Sequence, residues 1–251
     1  MKIGIISAVP EEIKTIHDDI NFYHSVEHVE RQFYFGNYES IELVLVYSKV
    51  GKVAASITAS ALIEKFNVDK IIFTGLAGAV SKDLERGDIV LGSTTFQHDF
   101  DARPLCEQQF EIPLTGRCLF ELLPNEIKLA ENAIISFLNS LNKYVDLKEL
   151  DRLHVKKPKL YIGNIATGDQ FIENVSTQKN LTVRGIEAIA VEMEGAAVAQ
   201  VCAEYQVPYI LIRIISDKAD NSAIISLQDF SVKLASHYAS GIIQEILKLS
   251  I

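Results

Sequence analysis

Several stretches of this chain are apolar at consecutive positions rather than at alternate ones. The plainest are Lys2-Ile3-Gly4-Ile5-Ile6-Ser7-Ala8, Lys70-Ile71-Ile72-Phe73-Thr74-Gly75 and Pro208-Tyr209-Ile210-Leu211-Ile212-Arg213-Ile214-Ile215. A strand with one wet face alternates apolar and polar residues. These runs do not alternate, so they read as strands covered on both faces. Residues 87–91 and 160–167 read as strands too, and a short strand closes at Val191. A hairpin joins 32–35 to 41–46 across Gly36-Asn37. Helical patterns fill the gaps at 53–66, 124–141, 194–204 and 227–249, the first with Ala55, Thr58, Ala59, Leu62 and Ile63 on one stripe. Alternation of buried strands with helices, without repeats or linkers, predicts an α/β fold. We expect one domain over 1–251, a three-layer sandwich whose central mixed β-sheet is flanked by helices and is mostly parallel. Residues 96–123 carry no period, and 142–158 read as a surface insertion.

With 251 residues, 48% of them hydrophobic, the chain can bury a sizeable core without covalent staples. Cys106, Cys118 and Cys202 form no CxxC pair, which speaks against a disulfide framework or a structural zinc. A lysine precedes the first apolar run, but Pro10, Glu11 and Glu12 interrupt it too soon for a secretion signal. No run approaches the roughly 18 apolar residues of a membrane span. The expected compartment is the cytoplasm. A net charge of −9 disfavours a nucleic-acid backbone as partner, and Lys156, Lys157 and Lys159 read as a solvated loop. His98 and Asp101 have no further ligands at metal-binding spacing, so a metal is not expected.

Ligands of open α/β sheets bind beyond the carboxyl ends of the strands. The first strand delivers Glu11 and Glu12 there, and the Lys70 strand delivers the small-residue turn Gly75–Ala79. The Leu160 strand leads to Gly168-Asp169-Gln170-Phe171-Ile172. Val191 leads to Glu192-Met193-Glu194-Gly195, and the last strand to Ser216-Asp217-Lys218. Four of these five ends carry carboxylates. Helix starts favour acids by about 0.3–1 kcal/mol without any function, so each acid alone is weak; their convergence at one sheet edge is not. Cleaving a sugar–base bond needs one group to protonate the leaving base and another to activate water. Glu12, Glu194, Asp217 and Phe171 are of the right types, although the pattern alone does not identify the base.

The strings MKIGIISAVPEE, KVGKVAAS, TGLAGAV, TGDQFI, AVEMEGAAVAQVC and RIISDKAD resemble, in order and over nearly the whole chain, the methylthioadenosine/S-adenosylhomocysteine nucleosidase family of the purine and uridine phosphorylase-like superfamily. The resemblance implies hydrolytic release of adenine from a 5′-thioadenosine, with water as co-substrate and no organic cofactor. It implies Glu12 as the base that deprotonates water and Asp217 as the acid at adenine N7, with Ser216 holding its geometry. Glu194 would accept from the ribose hydroxyls and Met193 would pack under the sugar. Phe171 would stack on adenine while the Ile172 backbone pairs with its edge. Arg213 and Glu192 would support the water and carboxylate network, and Ala77 and Gly78 would let backbone approach the ribose. A homodimer is implied too, because relatives complete the 5′ pocket with a partner's loop; 98–104 with 113–116 would supply that loop or a lid. Leu76 stands where relatives carry a hydroxyl, and Leu227 where an aromatic covers the 5′ substituent.

Three rivals stand beside this reading. A phosphorylase of the same fold needs cations around phosphate, yet Ile72-Phe73-Thr74 is uncharged and Glu11-Glu12 would repel a dianion. A nucleosidase for 6-amino-6-deoxyfutalosine would differ only at the 5′ end of the pocket. A non-catalytic nucleoside-binding protein would be expected to lack Glu12 or Asp217, and both are present.

Overall fold

The computed structural model describes residues 1–172, 181–183, 185–217, 230 and 234–251, with Asp217 described by its backbone. The first half contains strands β1 (Lys2–Ser7), β2 (Phe22–His28), β3 (Arg31–Tyr38), β4 (Ile41–Tyr47), β5 (Lys70–Ala79) and β6 (Ile89–Gln97). Helices α1 (Pro10–Asp19) and α2 (Lys52–Glu64) lie between them. The second half adds β7 (Phe120–Glu121), α3 (Pro124–Asn139), α4 (Leu147–Arg152), β8 (Leu160–Thr167), β9 (Thr182–Val183), β10 (Ile186–Glu192), α5 (Gly195–Tyr205), β11 (Tyr209–Asp217) and α6 (Ser236–Leu249). One mixed sheet runs in the order β2-β3-β4-β1-β5-β11-β6-β8-β10-β9. Helices α1, α3 and α6 pack together, and α2 packs on α5, which gives the expected three-layer α/β sandwich.

Parallel pairs run from β4 through β1 and β5 to β11, and from β6 through β8 to β10. Antiparallel pairing of β11 with β6 joins the two blocks. A further antiparallel contact, Ala79 to Ala190 and Gly78 to Val191, pairs β5 with β10 and closes β5, β11, β6, β8 and β10 into a ring. That closure corrects the sequence reading of 75–79 as a loop. Small residues let β5 stay a strand through Ala79 while it curls toward β10.

Other corrections have local causes. The hairpin turn lies at Glu39-Ser40, with Glu39 at φ +50°, not at Gly36-Asn37. Gly36 sits inside β3, where a Cβ would come within 2.7 Å of the Asn21 carbonyl. Strand β2 is largely solvated and lacks the apolar signal that marks its neighbours. Residues 142–158 are no mere surface insertion: Val145, Leu150, Leu153 and Val155 are all buried in the core. The first residues of the expected 227–249 helix fall mostly outside the described residues, and α6 covers its remainder.

One buried cation shapes the rim of the sheet. Arg31 donates from Nε and Nη2 to the Ser48 carbonyl at 3.1 and 3.0 Å, and from Nη2 to the Ala54 carbonyl at 3.3 Å. It thereby pins the connection from β4 into α2, which carries Val50 and Gly51.

Candidate active site

A cavity of about 390 Å³ opens at the carboxyl ends of β1, β5 and β11. From the first loop it is lined by Glu12, and from β5 by Ala77 and Gly78. Phe171 and Ile172 come from the segment after β8. Glu192, Met193 and Glu194 come from the junction of β10 and α5, and Arg213 and Ser216 from β11. Side chains far apart in sequence thus meet because their strands end side by side. Asp217 ends β11 with its backbone in register with Gly78, and its side chain lies outside the described residues, as does Leu227.

Glu12 lies within α1 yet is buried. Its Oε2 accepts from the Ala8 and Val9 N–H groups at 2.9 and 3.3 Å, and its Oε1 from Leu76 N–H at 3.2 Å. Burial pushes its carboxyl above the usual range, while Arg213 and these three N–H groups oppose the rise. Gly75 makes room for it: a Cβ there would stand 3.3 Å from Glu12 Oε1 and 3.5 Å from Arg213 Nη1. Leu76 therefore serves the site through its backbone, whatever its side chain lacks.

Glu192 is committed to structure. Arg213 donates to its Oε2 at 2.6 Å from Nη2 and 3.2 Å from Nε, and the Thr167 hydroxyl donates to its Oε1. Glu194 and Gly195 N–H groups donate to it as well, the latter at 2.7 and 2.9 Å, so it closes the first turn of α5. Arg213 is 1% exposed, gives its third donor to the Ile212 carbonyl, and stacks 4.1 Å from the Phe73 ring centroid. Glu194 Oε1 accepts Gly51 N–H at 2.8 Å, and among the described residues its other carboxylate oxygen has no hydrogen-bond donor. Burial first, and Glu192 second, push its carboxyl up to about 7.

Ser216 stands at a register slip between Ile215 and Asp217, which turns it toward the cavity, and its hydroxyl donates to the Ala77 carbonyl. Phe171 is 52% exposed at the mouth. Three contributors escaped the sequence reading. Gly51 and Thr167 orient carboxylates, and both fall inside quoted motifs without having been given a role of their own; Val50 lines the wall. His98 is buried and Asp101 pairs with Arg103. Among the described residues no cluster of His, Cys, Asp and Glu could hold a metal, and no helix is long and apolar enough to cross a membrane.

Among the described residues the arrangement offers buried carboxylates, an apolar and aromatic wall, and one cation already spent on a carboxylate. It suits a neutral ligand with hydroxyls and a flat ring better than a phosphate. A family model described as the phosphorylase superfamily matches residues 2–248. An aminodeoxyfutalosine nucleosidase of Campylobacter jejuni is 37% identical, over 99% of this chain and 100% of that one. A 5′-methylthioadenosine/S-adenosylhomocysteine nucleosidase of Staphylococcus haemolyticus is 34% identical, over 98% and 99%. The solved structure of a Helicobacter pylori MTAN mutant with 5′-methylthioadenosine in its active site superposes with a TM-score of 0.81, at 31% identity and 98% coverage of each chain.

Proposed function

The chain belongs to the phosphorylase superfamily, and from that premise we propose that it hydrolyses the N-glycosidic bond of 5′-methylthioadenosine and S-adenosylhomocysteine, releasing adenine and the 5-thioribose. It is an N-ribosyl hydrolase. The observation that carries hydrolysis over phosphorolysis is the engagement of Arg213 by Glu192 beside the buried carboxylate of Glu12. A phosphate dianion there would face carboxylates, with the nearest cation among the described residues already paired. A water molecule would face a base.

In this reading the ribose lies between Met193 and the Glu194 carboxylate, which accepts from the 2′- and 3′-hydroxyls. The base lies against Phe171, with its edge on the Ile172 backbone. Glu12 takes a proton from water as that water attacks C1′, and Asp217 delivers a proton to N7 of the departing adenine. Electron density from the C1′–N9 bond goes to the neutralised base, and the oxocarbenium-like sugar is held near Glu194. Arg213 and Glu192 keep Glu12 and the start of α5 in place, Ser216 supports Asp217, and Ala77 and Gly78 allow close approach of the ribose. The protein works as a cytoplasmic homodimer. Apolar side chains left in water on α2 and on the loop after β6, Val53 at 72%, Leu105 at 82% and Leu114, support a second copy covering them.

A second substrate is favoured by one finding, the 37% identity to the aminodeoxyfutalosine nucleosidase of C. jejuni. The chemistry would be unchanged and only the 5′ group would differ. The test is adenine release from methylthioadenosine and from 6-amino-6-deoxyfutalosine, each without and with phosphate. We expect release without phosphate that Glu12→Gln reduces by about 10²–10⁴-fold. A requirement for phosphate, with ribose 1-phosphate as product, would overturn the reading.

A further inference from the structure

Three chain segments meet beside the cavity: the turn into α2, whose Val50 lines it, the segment after β8, whose Phe171 and Ile172 line it, and the stretch just past β6. One lysine and two aspartates tie them together. Lys52 Nζ donates to Asp99 Oδ1 at 2.6 Å and lies 3.7 Å from Asp169 Oδ2. The backbone N–H of Lys52 donates to Asp169 Oδ1 at 2.9 Å, so Asp169 caps α2 from another part of the chain. Asp99 Oδ2 in turn accepts from Asp169 N–H at 2.8 Å. The Lys52 and Asp99 side chains keep only 15% and 21% of their exposure. Burial alone would raise the Asp99 carboxyl; the Lys52 ammonium and the Asp169 N–H outweigh it and hold the group below its ordinary value.

The neighbours of this triad are the groups that grip the ligand. Gly51, one residue before Lys52, donates to Glu194 Oε1 at 2.8 Å. Phe171 and Ile172 follow Asp169 by two and three residues. Gly168 is pressed onto the buried His98 ring, where a Cβ would come within 2.3 Å of Nε2, and His98 N–H donates to the Thr167 carbonyl at 2.9 Å. The segment carrying the base wall is thus fixed at 167–169 by His98 and Asp99. It is joined through Lys52 to the turn that holds Glu194.

We propose that Lys52, Asp99 and Asp169 form a positioning clamp that sets the base slot at a fixed distance from the ribose-binding carboxylate, so that base affinity depends on residues that never touch the base. None of the three is a catalytic residue. The inference rests on the proposed nucleosidase reading for its ligand, but the clamp itself exists without one. A clamp of this kind acts on binding of the base and leaves the attack of water untouched. Its loss therefore raises KM and weakens product inhibition by adenine, with kcat little changed.

The experiment compares wild type, Lys52→Met, Lys52→Arg and Asp169→Ala. Two readouts apply: backbone amide exchange at 169–172 in the unliganded protein, and KM, kcat and the adenine inhibition constant with methylthioadenosine. We expect Lys52→Met and Asp169→Ala to speed exchange at 169–172 by about tenfold or more. Both should raise KM and the adenine constant by about tenfold while kcat stays within about threefold. Lys52→Arg, whose guanidinium can serve both aspartates, should recover most of the loss. Unchanged exchange in Lys52→Met would overturn the clamp whatever the reaction is. Faster exchange with kcat falling and KM unmoved would also overturn it, because the triad would then serve the chemical step. Failure of wild type to release adenine would count against the nucleosidase reading, and the exchange arm would still decide the clamp.

Discussion

Glu194 is where the residue scale shows most clearly that environment, not residue type, sets behaviour. Its carboxyl is pushed up to about 7 by burial and by Glu192, against Arg213 and the Gly51 N–H. In the proposed reading ribose hydroxyls donate more strongly to its ionised form than to the neutral acid, so nucleoside affinity should rise by up to about tenfold between pH 6 and pH 8 and then level off. The rise should vanish in Glu194→Gln. Inhibition by a non-hydrolysable adenosine analogue across that range checks it, and equal slopes in both proteins would refute the role. Stability runs the other way. The folded carboxyl at about 7 stands above its ordinary 4.5, so the folded state holds the proton more tightly within that window. Its contribution is present below 4.5 and is lost as pH rises through about 7. The difference in Tm between wild type and Glu194→Gln should follow that course. The sequence marked Glu194 as a candidate, but its titration was illegible there, because Glu192, Arg213 and Gly51 are gathered around it only by the fold.

Among the elements, the start of α5 is the most instructive. An ordinary helix start is satisfied by its own capping residue, but here Glu192 in the preceding strand accepts from Glu194 and Gly195, with Thr167 and Arg213 completing it. Replacing Glu192 by alanine removes the partner of a cation whose side chain is 1% exposed. Breaking a buried pair from one side costs about 3–5 kcal/mol. Glu192→Ala should therefore lower the unfolding free energy extrapolated from urea titration by an amount in that range, and a loss below about 1 kcal/mol would show that water reaches Arg213 in its place. Strands β1, β5 and β11 were legible because long apolar runs have few alternatives. Strand β2 was not, since FYHSVEH lies in water and offers no period. The 142–158 segment misled because four buried side chains spread over eleven residues, from Val145 to Val155, imitate a polar loop.

For the molecule as a whole, the open question with the most consequence is the second copy. Val50, Val53 and Ile57 are 53%, 72% and 42% exposed along the start of α2, next to the turn that holds Glu194. A dimer that covers them would tie assembly to the cavity, whose wall includes Val50. The double substitution Val53→Glu with Ile57→Glu should give a monomer in sedimentation velocity, with adenine release lowered at least tenfold. A dimer that persists, or a fully active monomer, would refute that link. At this scale the sequence was informative about class and poor about closure. The antiparallel pairing of β5 with β10 that shapes the cavity joins Ala79 to Ala190, residues without any sequence signal for contact.

Read without coordinates, the chain already determined an α/β sandwich. Consecutive apolar residues must be covered on both faces, and only helices on either side of a sheet do that for a chain of this kind. It also determined which residue types arrive at the strand ends, since strand direction and loop position follow from the same pattern. Tertiary structure alone decided which carboxylate is free and which is spent. Glu12, Glu192 and Glu194 are chemically alike in the sequence, but Arg213 pairs with Glu192, backbone N–H groups surround Glu12, and Glu194 is left with one oxygen open among the described residues. Electrostatic energy depends on distance and burial. Those are settled by contacts between β1, β5, β10 and β11, which lie far apart along the chain.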